Sequence, residues 1–131
     1  VCTTSCHDTS TLRGMWEEPD FDKSFYWSHA QLPGVAPDKL TPPVVRDILA
    51  HVFTANSLFC IPSIQDYFAL SASLSDCDPK EERGNIPGTV GGKNWTYRTP
   101  CSVEELLANA GLISEISKLV EERKSRALWK I

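Results

Sequence analysis

Two short apolar runs, Val1–Ser5 ("VCTTS") and Ser57–Ile61 ("SLFCI"), constrain the fold more than any other feature of this chain. Each reads as a strand, and the second as a strand buried on both faces, as strands of parallel sheets are. Helical patterns separate and follow them, and strands alternating with helices imply βα units with parallel strands. Two strands with helices around them do not make a stable sheet. The expectation is therefore a piece of a larger α/β structure, with Val1 in an internal strand of a longer enzyme and no complete independent domain in 1–131.

The helices announce themselves by spacing and caps. Ser10–Glu18 carries Leu12, Met15 and Trp16 at helical intervals, and Pro19 ends the pattern. Asp8, Thr9 or Ser10 would serve as its N-cap. Phe21, Phe25 and Tyr26 suggest a second short helix. Thr41 is placed to cap a third, with Pro42 at the first helical position and Val44, Val45, Ile48, Leu49, Val52 and Phe53 forming one apolar stripe. Pro62 opens a short helix through Leu70. Ser71–Arg98 has little periodicity and much Gly, Pro, Asn and Asp, so it reads as a long loop, and loops of that length in compact domains tend to carry function. Ser102 and Glu105 form a capping box, Gly111 fits the C′ position of that helix, and Ile116, Leu119, Val120 and Arg123 mark a final amphipathic helix.

Composition narrows the function. The net charge of −4 argues against nucleic acid or an anionic membrane as a partner. No apolar stretch is long enough to span a bilayer. The five cysteines, Cys2, Cys6, Cys60, Cys77 and Cys101, are odd in number and without a CxxC, which fits free thiols in a reducing cytosol better than a disulfide framework. Cys2, Cys6 and His7 make the one zinc candidate, and the ligand spacing that zinc wants is missing. The expectation is no metal and no cofactor, and a cytoplasmic location.

Two stretches carry candidate chemistry. His7 and Asp8 sit where the first strand ends and a helix begins. In a βα barrel, catalytic residues occupy the C-terminal ends of strands; Asp8 as a plain helix cap is the competing reading. A His-Asp pair also resembles the metal phosphohydrolases named for that dyad. Those need further His and Asp ligands, and neither His29 nor His51 lies beside a carboxylate in such a pattern. The second stretch is "ERGNIPGTVGGKNWTYR", residues 82–98. It is not a phosphate loop, because Asn94 stands where Ser or Thr must bind Mg²⁺ and Pro87 where the first Gly must be. Asn94-Trp95-Thr96 also matches a glycosylation acceptor, a triplet that arises often by chance. Amides such as Asn85 and rings such as Trp95 suit sugar, since amides bond hydroxyls and rings stack on the apolar face of a pyranose. Pro87 and Gly88 aim Asn85 outward; Trp95 is expected to pack inward and Arg98 to bond loop carbonyls, together bracing the loop.

Taken together, "SCHDTSTLRGMW", "PSIQDYFAL" and "RGNIPGTVGGKNWTYR" resemble, in order, three segments of the 4-α-glucanotransferases, the amylomaltase or disproportionating-enzyme family of glycoside hydrolases. "SCHDTSTLR" looks like the plant-type branch, "NIPGTV" like the bacterial form. The resemblance implies a TIM-type (β/α)8 barrel, of which 1–131 would hold the last two βα units plus C-terminal helices. It implies transfer of α-1,4-glucan segments to glucose or glucan acceptors by a retaining double displacement, with a nucleophilic aspartate and an acid/base glutamate roughly 5–5.5 Å apart. Both would lie upstream, in the remainder of the catalytic barrel, so the chain alone would be inactive. Asp8 matches a third carboxylate that holds sugar hydroxyls beside the reacting centre, His7 the neighbouring donor to the same sugar, and Asn85 a loop asparagine facing the groove. Gln65 and Asp66 match a "QD" segment with a structural role, holding the loop. The implied partner is an α-1,4-glucan or malto-oligosaccharide; the alternative is a non-catalytic glucan-binding or regulatory module derived from the barrel.

Overall fold

A computed structural model describes residues 1–126. Six α-helices follow one another among these residues: α1 (Leu12–Trp16), α2 (Lys23–His29), α3 (Pro42–Phe53), α4 (Ile64–Phe68), α5 (Val103–Ala108) and α6 (Ala110–Arg126), with a 3₁₀ turn at Pro79–Glu82. No helix among them is long and apolar enough to cross a membrane.

The core is the stripe of α3 laid against α6 and covered by α1 and α2. Val45, Ile48, Leu49 and Phe53 are buried together with Leu12, Trp16, Trp27, Ala69 and Leu119. Trp16 sits at the centre of an aromatic cluster, with ring centroids 5.5 Å from Phe21, 5.9 Å from Tyr26 and 6.2 Å from Trp27. Both buried indoles find carbonyl acceptors in the loop after α2. Trp16 Nε1 donates to Pro37 O and Trp27 Nε1 to Pro33 O, each at 3.1 Å, so neither ring leaves a polar atom unpaired. Arg123 of α6 reaches back to the end of α3, donating to the carbonyls of Phe53 and Ala55 at 2.9 Å and to that of Ser57. The guanidinium fork thus closes carbonyls that α3 leaves open at its C-terminus.

Several expected elements take a different form. The runs Val1–Ser5 and Ser57–Ile61 lie side by side in parallel but pair only through an isolated bridge between Cys2 and Cys60. Cys2 N–H donates to Phe59 O at 2.9 Å and Ile61 N–H to Cys2 O at 2.8 Å. Two segments with no third neighbour on either side have nothing to extend the ladder, and no strand forms among the described residues. Helix α1 is capped by Thr11, whose hydroxyl accepts from Gly14 N–H, and not by Asp8, Thr9 or Ser10. Thr41 holds the N-cap position of α3 without a side-chain bond, the prolines that follow having already removed backbone donors. The capping box at Ser102 and Glu105 is present, but Gly111 is not the C′ residue. The break falls at Asn109, whose Oδ1 accepts from Leu112 N–H at 3.0 Å and starts α6, leaving Gly111 inside that helix. Asparagine competes for backbone donors through its own side chain, which lets it end one helix and cap the next.

Candidate functional site

The N-terminal segment leaves its bridge at Cys2 and is anchored two residues later. Asp66 of α4, 1% exposed, accepts hydrogen bonds from the hydroxyls of Thr4 and Ser5 (the latter at 2.9 Å) and from Leu12 N–H at 2.8 Å. Ser63 caps α4 and accepts from Ser5 Oγ at 3.1 Å. This one carboxylate therefore ties the residues on both sides of the His-Asp pair to α4. Between the ties, Cys6–Thr9 forms a turn: Thr9 N–H donates to Cys6 O at 3.2 Å, and Cys6 N–H donates to Thr9 Oγ1 at 2.9 Å. His7 and Asp8 occupy its two central positions and project from the surface.

The long loop returns to this turn. Asn85 N–H donates to His7 O at 2.9 Å, and Asn85 Nδ2 donates to Asp8 Oδ1 at 2.7 Å. His7 Nε2 lies 3.3 Å from Asp8 Oδ2. The three residues singled out from the sequence, His7, Asp8 and Asn85, thus meet at one place, with Asp8 in the middle and one neighbour on each of its oxygens. Side-chain exposures of 59% for His7 and 47% for Asp8 leave both open to an incoming ligand.

Arg83, to which the sequence alone assigned no role, holds the assembly. Its Nε donates to Asn85 O at 2.8 Å, its Nη2 to Asp8 O at 2.8 Å and its Nη1 to Ser10 Oγ at 3.2 Å. One rigid fork spans the loop and the turn, which fixes the reach of Asn85 toward Asp8. Its signal was present as the first residue of "RGNIPGT". The bracing expected of Arg98 is absent: its side chain makes no hydrogen bond among the described residues, and it lines a cavity of about 640 Å³ with Lys80, Lys93 and Tyr97. Burial and the nearby Glu82 push the Tyr97 hydroxyl up to about 12, so it stays a donor at neutral pH.

Trp95 also departs from expectation. Its ring does not pack inward; it is 66% exposed and lies tilted against His7, with centroids 5.3 Å apart. Its backbone is left-handed, φ 62°, and its N–H donates to Gly84 O at 2.8 Å. Asn94 holds the bend from within, Oδ1 accepting from Ile86 N–H at 3.0 Å and Nδ2 donating to Thr89 Oγ1 at 2.8 Å.

Beneath the turn lies a cavity of about 170 Å³ bordered by Cys6, His7, Thr9, Gln65, Glu82 and Gly84. Its floor is the buried carboxylate of Glu82, which accepts from Thr11 Oγ1 at 2.9 Å and pairs with Arg13. Gln65 Nε2 donates to Glu82 O at 3.2 Å, so the "QD" segment holds both the loop and the turn. Burial raises the Glu82 carboxyl above the ordinary glutamate range, against the opposing pull of Thr11 and Arg13. Among the described residues no three His, Cys, Asp or Glu side chains converge as a metal site.

A half-exposed carboxylate flanked by an imidazole, an amide and an indole face is the equipment of a sugar site, with acceptors and donors for hydroxyls and a ring for the apolar face. The glycoside hydrolase 77 family, described as 4-alpha-glucanotransferase, matches residues 1–103. A 4-alpha-glucanotransferase of Chlamydia muridarum is 33% identical over 123 residues, covering 91% of this chain and 22% of the relative. That of Chlamydia caviae is 35% identical over 127 residues, covering 91% and 23%. The 4-alpha-glucanotransferase DPE2 of Oryza sativa subsp. japonica is 35% identical over 121 residues, covering 92% of this chain and 13% of the relative. The chain spans less than a quarter of the length of these curated relatives. On the extent of these matches, the chain belongs to the 4-alpha-glucanotransferase family.

Proposed function

We propose that this chain supplies the transition-state-stabilising side of a 4-α-glucanotransferase site, which moves α-1,4-glucan segments to glucose or glucan acceptors by a retaining double displacement. On this reading the chain forms the last two βα units of a (β/α)8 barrel, and the nucleophilic aspartate and acid/base glutamate come from the remainder of that barrel. The parallel bridge at Cys2 and Cys60 supports the barrel reading, since neighbouring barrel strands run parallel.

The observation that carries the function is the placement of Asp8 between Asn85 and His7 on an exposed turn. Asn85 and His7 fix the carboxylate without burying it, so its remaining lone pairs face outward for sugar hydroxyls. As the sugar ring flattens toward an oxocarbenium ion, those hydroxyls become more acidic. A preorganised carboxylate then binds them more tightly than in the ground state, which lowers the barrier. His7 donates to the same sugar, and Asn85 presents the edge of the loop to the groove.

The test is Asp8→Asn in the full-length enzyme. The amide keeps the shape and removes the charge. The expected result is a kcat reduced about 10²–10³-fold, the usual worth of one preorganised electrostatic contact, with an unchanged melting temperature. Glucan transfer within a few-fold of the parent enzyme refutes the assignment. Retained glucan binding by a full-length protein with no transfer activity in either form points instead to a binding module.

A further inference from the structure

Cys2 and Cys60 face each other across the isolated parallel bridge, each opposite the other in register. Neighbouring strands lie about 4.8 Å apart, which falls inside the window of Cα separations that a disulfide spans. Both side chains also project to the same side. Cys2 Sγ is 3.9 Å and Cys60 Sγ 3.8 Å from the same acceptor, the carbonyl oxygen of Val52 at the end of α3. Both are half-buried free thiols, and Cys2 lines a cavity of about 500 Å³ with Thr4, Tyr26 and His51.

We propose that Cys2 and Cys60 form a redox modification site, closing to an intramolecular disulfide by exchange with a small-molecule disulfide of the glutathione class. The step balances as two thiol–disulfide exchanges. One protein thiol loses its proton, and the thiolate attacks a sulfur of the small disulfide. The small molecule's S–S bond breaks and its first thiolate leaves, taking up a proton. The second protein thiolate then attacks the protein-bound sulfur. The protein S–S bond forms, the mixed S–S bond breaks, and the second small thiolate leaves with the other proton. The two cysteines are oxidised by two electrons and one small disulfide is reduced to two thiols. Burial and the adjacent Cys2 raise the Cys60 thiol, while Arg123 opposes this. Cys60 is therefore protonated at neutral pH and gives up its proton when it attacks. Closure would fasten the segment leading to the His7–Asp8 turn onto Phe59–Ile61, making the bridge covalent.

The experiment incubates the full-length, natively folded protein with mixtures of oxidised and reduced glutathione, quenches by alkylation and maps disulfides by peptide mass spectrometry. The expected result is a Cys2–Cys60 cross-link that accumulates as the mixture becomes oxidising and reverses with excess reduced glutathione. The same treatment in denaturant should scramble the pairing, since only the fold brings the two sulfurs together. In the Cys60→Ser variant, Cys2 should retain its glutathione adduct, which in the parent protein resolves several-fold faster. Cys2 and Cys60 remaining as thiols or as stable single adducts under conditions that modify the exposed Cys6 and Cys77 overturns the proposal. So does a native cross-link that prefers Cys6, Cys77 or Cys101.

Discussion

At the scale of single residues, Trp95 is the side chain whose position demands an explanation. A non-glycine residue with φ 62° costs roughly 1–2 kcal/mol, and a ring that is 66% exposed recovers little of that by burial. The conformation is held by Trp95 N–H on Gly84 O, and it sets the indole beside His7, where a sugar ring would lie. Trp95→Ala should therefore leave the melting temperature nearly unchanged and weaken malto-oligosaccharide binding by about tenfold, since the stacking of one aromatic face contributes on the order of 1 kcal/mol or more. Asn85→Ala should lower kcat instead, because it releases one oxygen of Asp8 from its fixed direction without removing a stacking surface. Calorimetry and transfer kinetics on both variants separate these roles, and an early melt of Trp95→Ala with normal glucan affinity would reverse them. Motif order singled out His7, Asp8 and Asn85, and the fold brings these three together. The orientation of Trp95 was not, because a large apolar ring is buried by default and only the left-handed backbone, invisible in composition, turns it outward. The brace was expected of Arg98, but it is Arg83, two residues before Asn85, that holds the loop and the turn together.

At the scale of elements, two buried carboxylates decide how the turn and loop are seated. Asp66 serves as acceptor for Thr4, Ser5 and the first turn of α1. Asp66→Ala leaves those donors without a partner in a closed environment, at about 1–3 kcal/mol for each buried group left unsatisfied. A loss of about 3 kcal/mol or more in unfolding free energy is expected, measured by denaturant titration, with Asp66→Asn retaining part of the bonds and losing less. Glu82 predicts a pH signature. Its carboxyl is raised in the folded state, first by burial, with Thr11 and Arg13 only partly compensating. A raised carboxyl binds its proton more tightly folded than unfolded. Its contribution is present below the unfolded glutamate range, near 4.5, and is lost as pH climbs through the higher folded value. The stability of the parent protein relative to Glu82→Gln should thus fall between about pH 4 and neutrality, and a difference that rises over that window contradicts the assignment. Helix positions were largely legible in the sequence, since the stripe of α3 and the capping box of α5 are periodic and local. Boundaries were less so. Thr11 in place of Asp8, and Asn109 in place of Gly111, win through bonds to particular backbone N–H groups that several neighbouring polar residues could equally have made.

At the scale of the whole molecule, the helical core and the bridge edge behave as two different kinds of surface. The α3–α6 core is closed and its polar atoms satisfied; among the described residues, no buried side-chain nitrogen or oxygen lacks a partner. The edge is the opposite. Val1 is 84% exposed, and Leu58, Phe59 and Ile61 stand open on the segment that pairs with it. These residues flank the bridge of two backbone hydrogen bonds, whose outer N–H and C=O groups pair with no other strand among the described residues. An apolar, unpaired edge of this kind either receives neighbouring strands or recruits another copy of the chain. The barrel reading supplies the neighbours, and it makes a prediction about the isolated 131-residue chain. Expressed alone, the chain should retain far-ultraviolet helical signal from α3 and α6. It should also bind a hydrophobic dye, associate as concentration rises, and unfold over a broad range with no sharp transition. Expressed within the full-length protein, the same residues should be protected from exchange and unfold with the rest. The decisive measurement pairs sedimentation with hydrogen exchange at Phe59 and Ile61. Fast exchange at Ile61 N–H in the isolated chain and slow exchange in the long one establishes that the bridge is completed by strands from elsewhere. A monomeric isolated chain with a single sharp unfolding transition and a slowly exchanging Ile61 N–H shows instead that these residues form a domain of their own, and the last-two-units reading of the barrel falls with it.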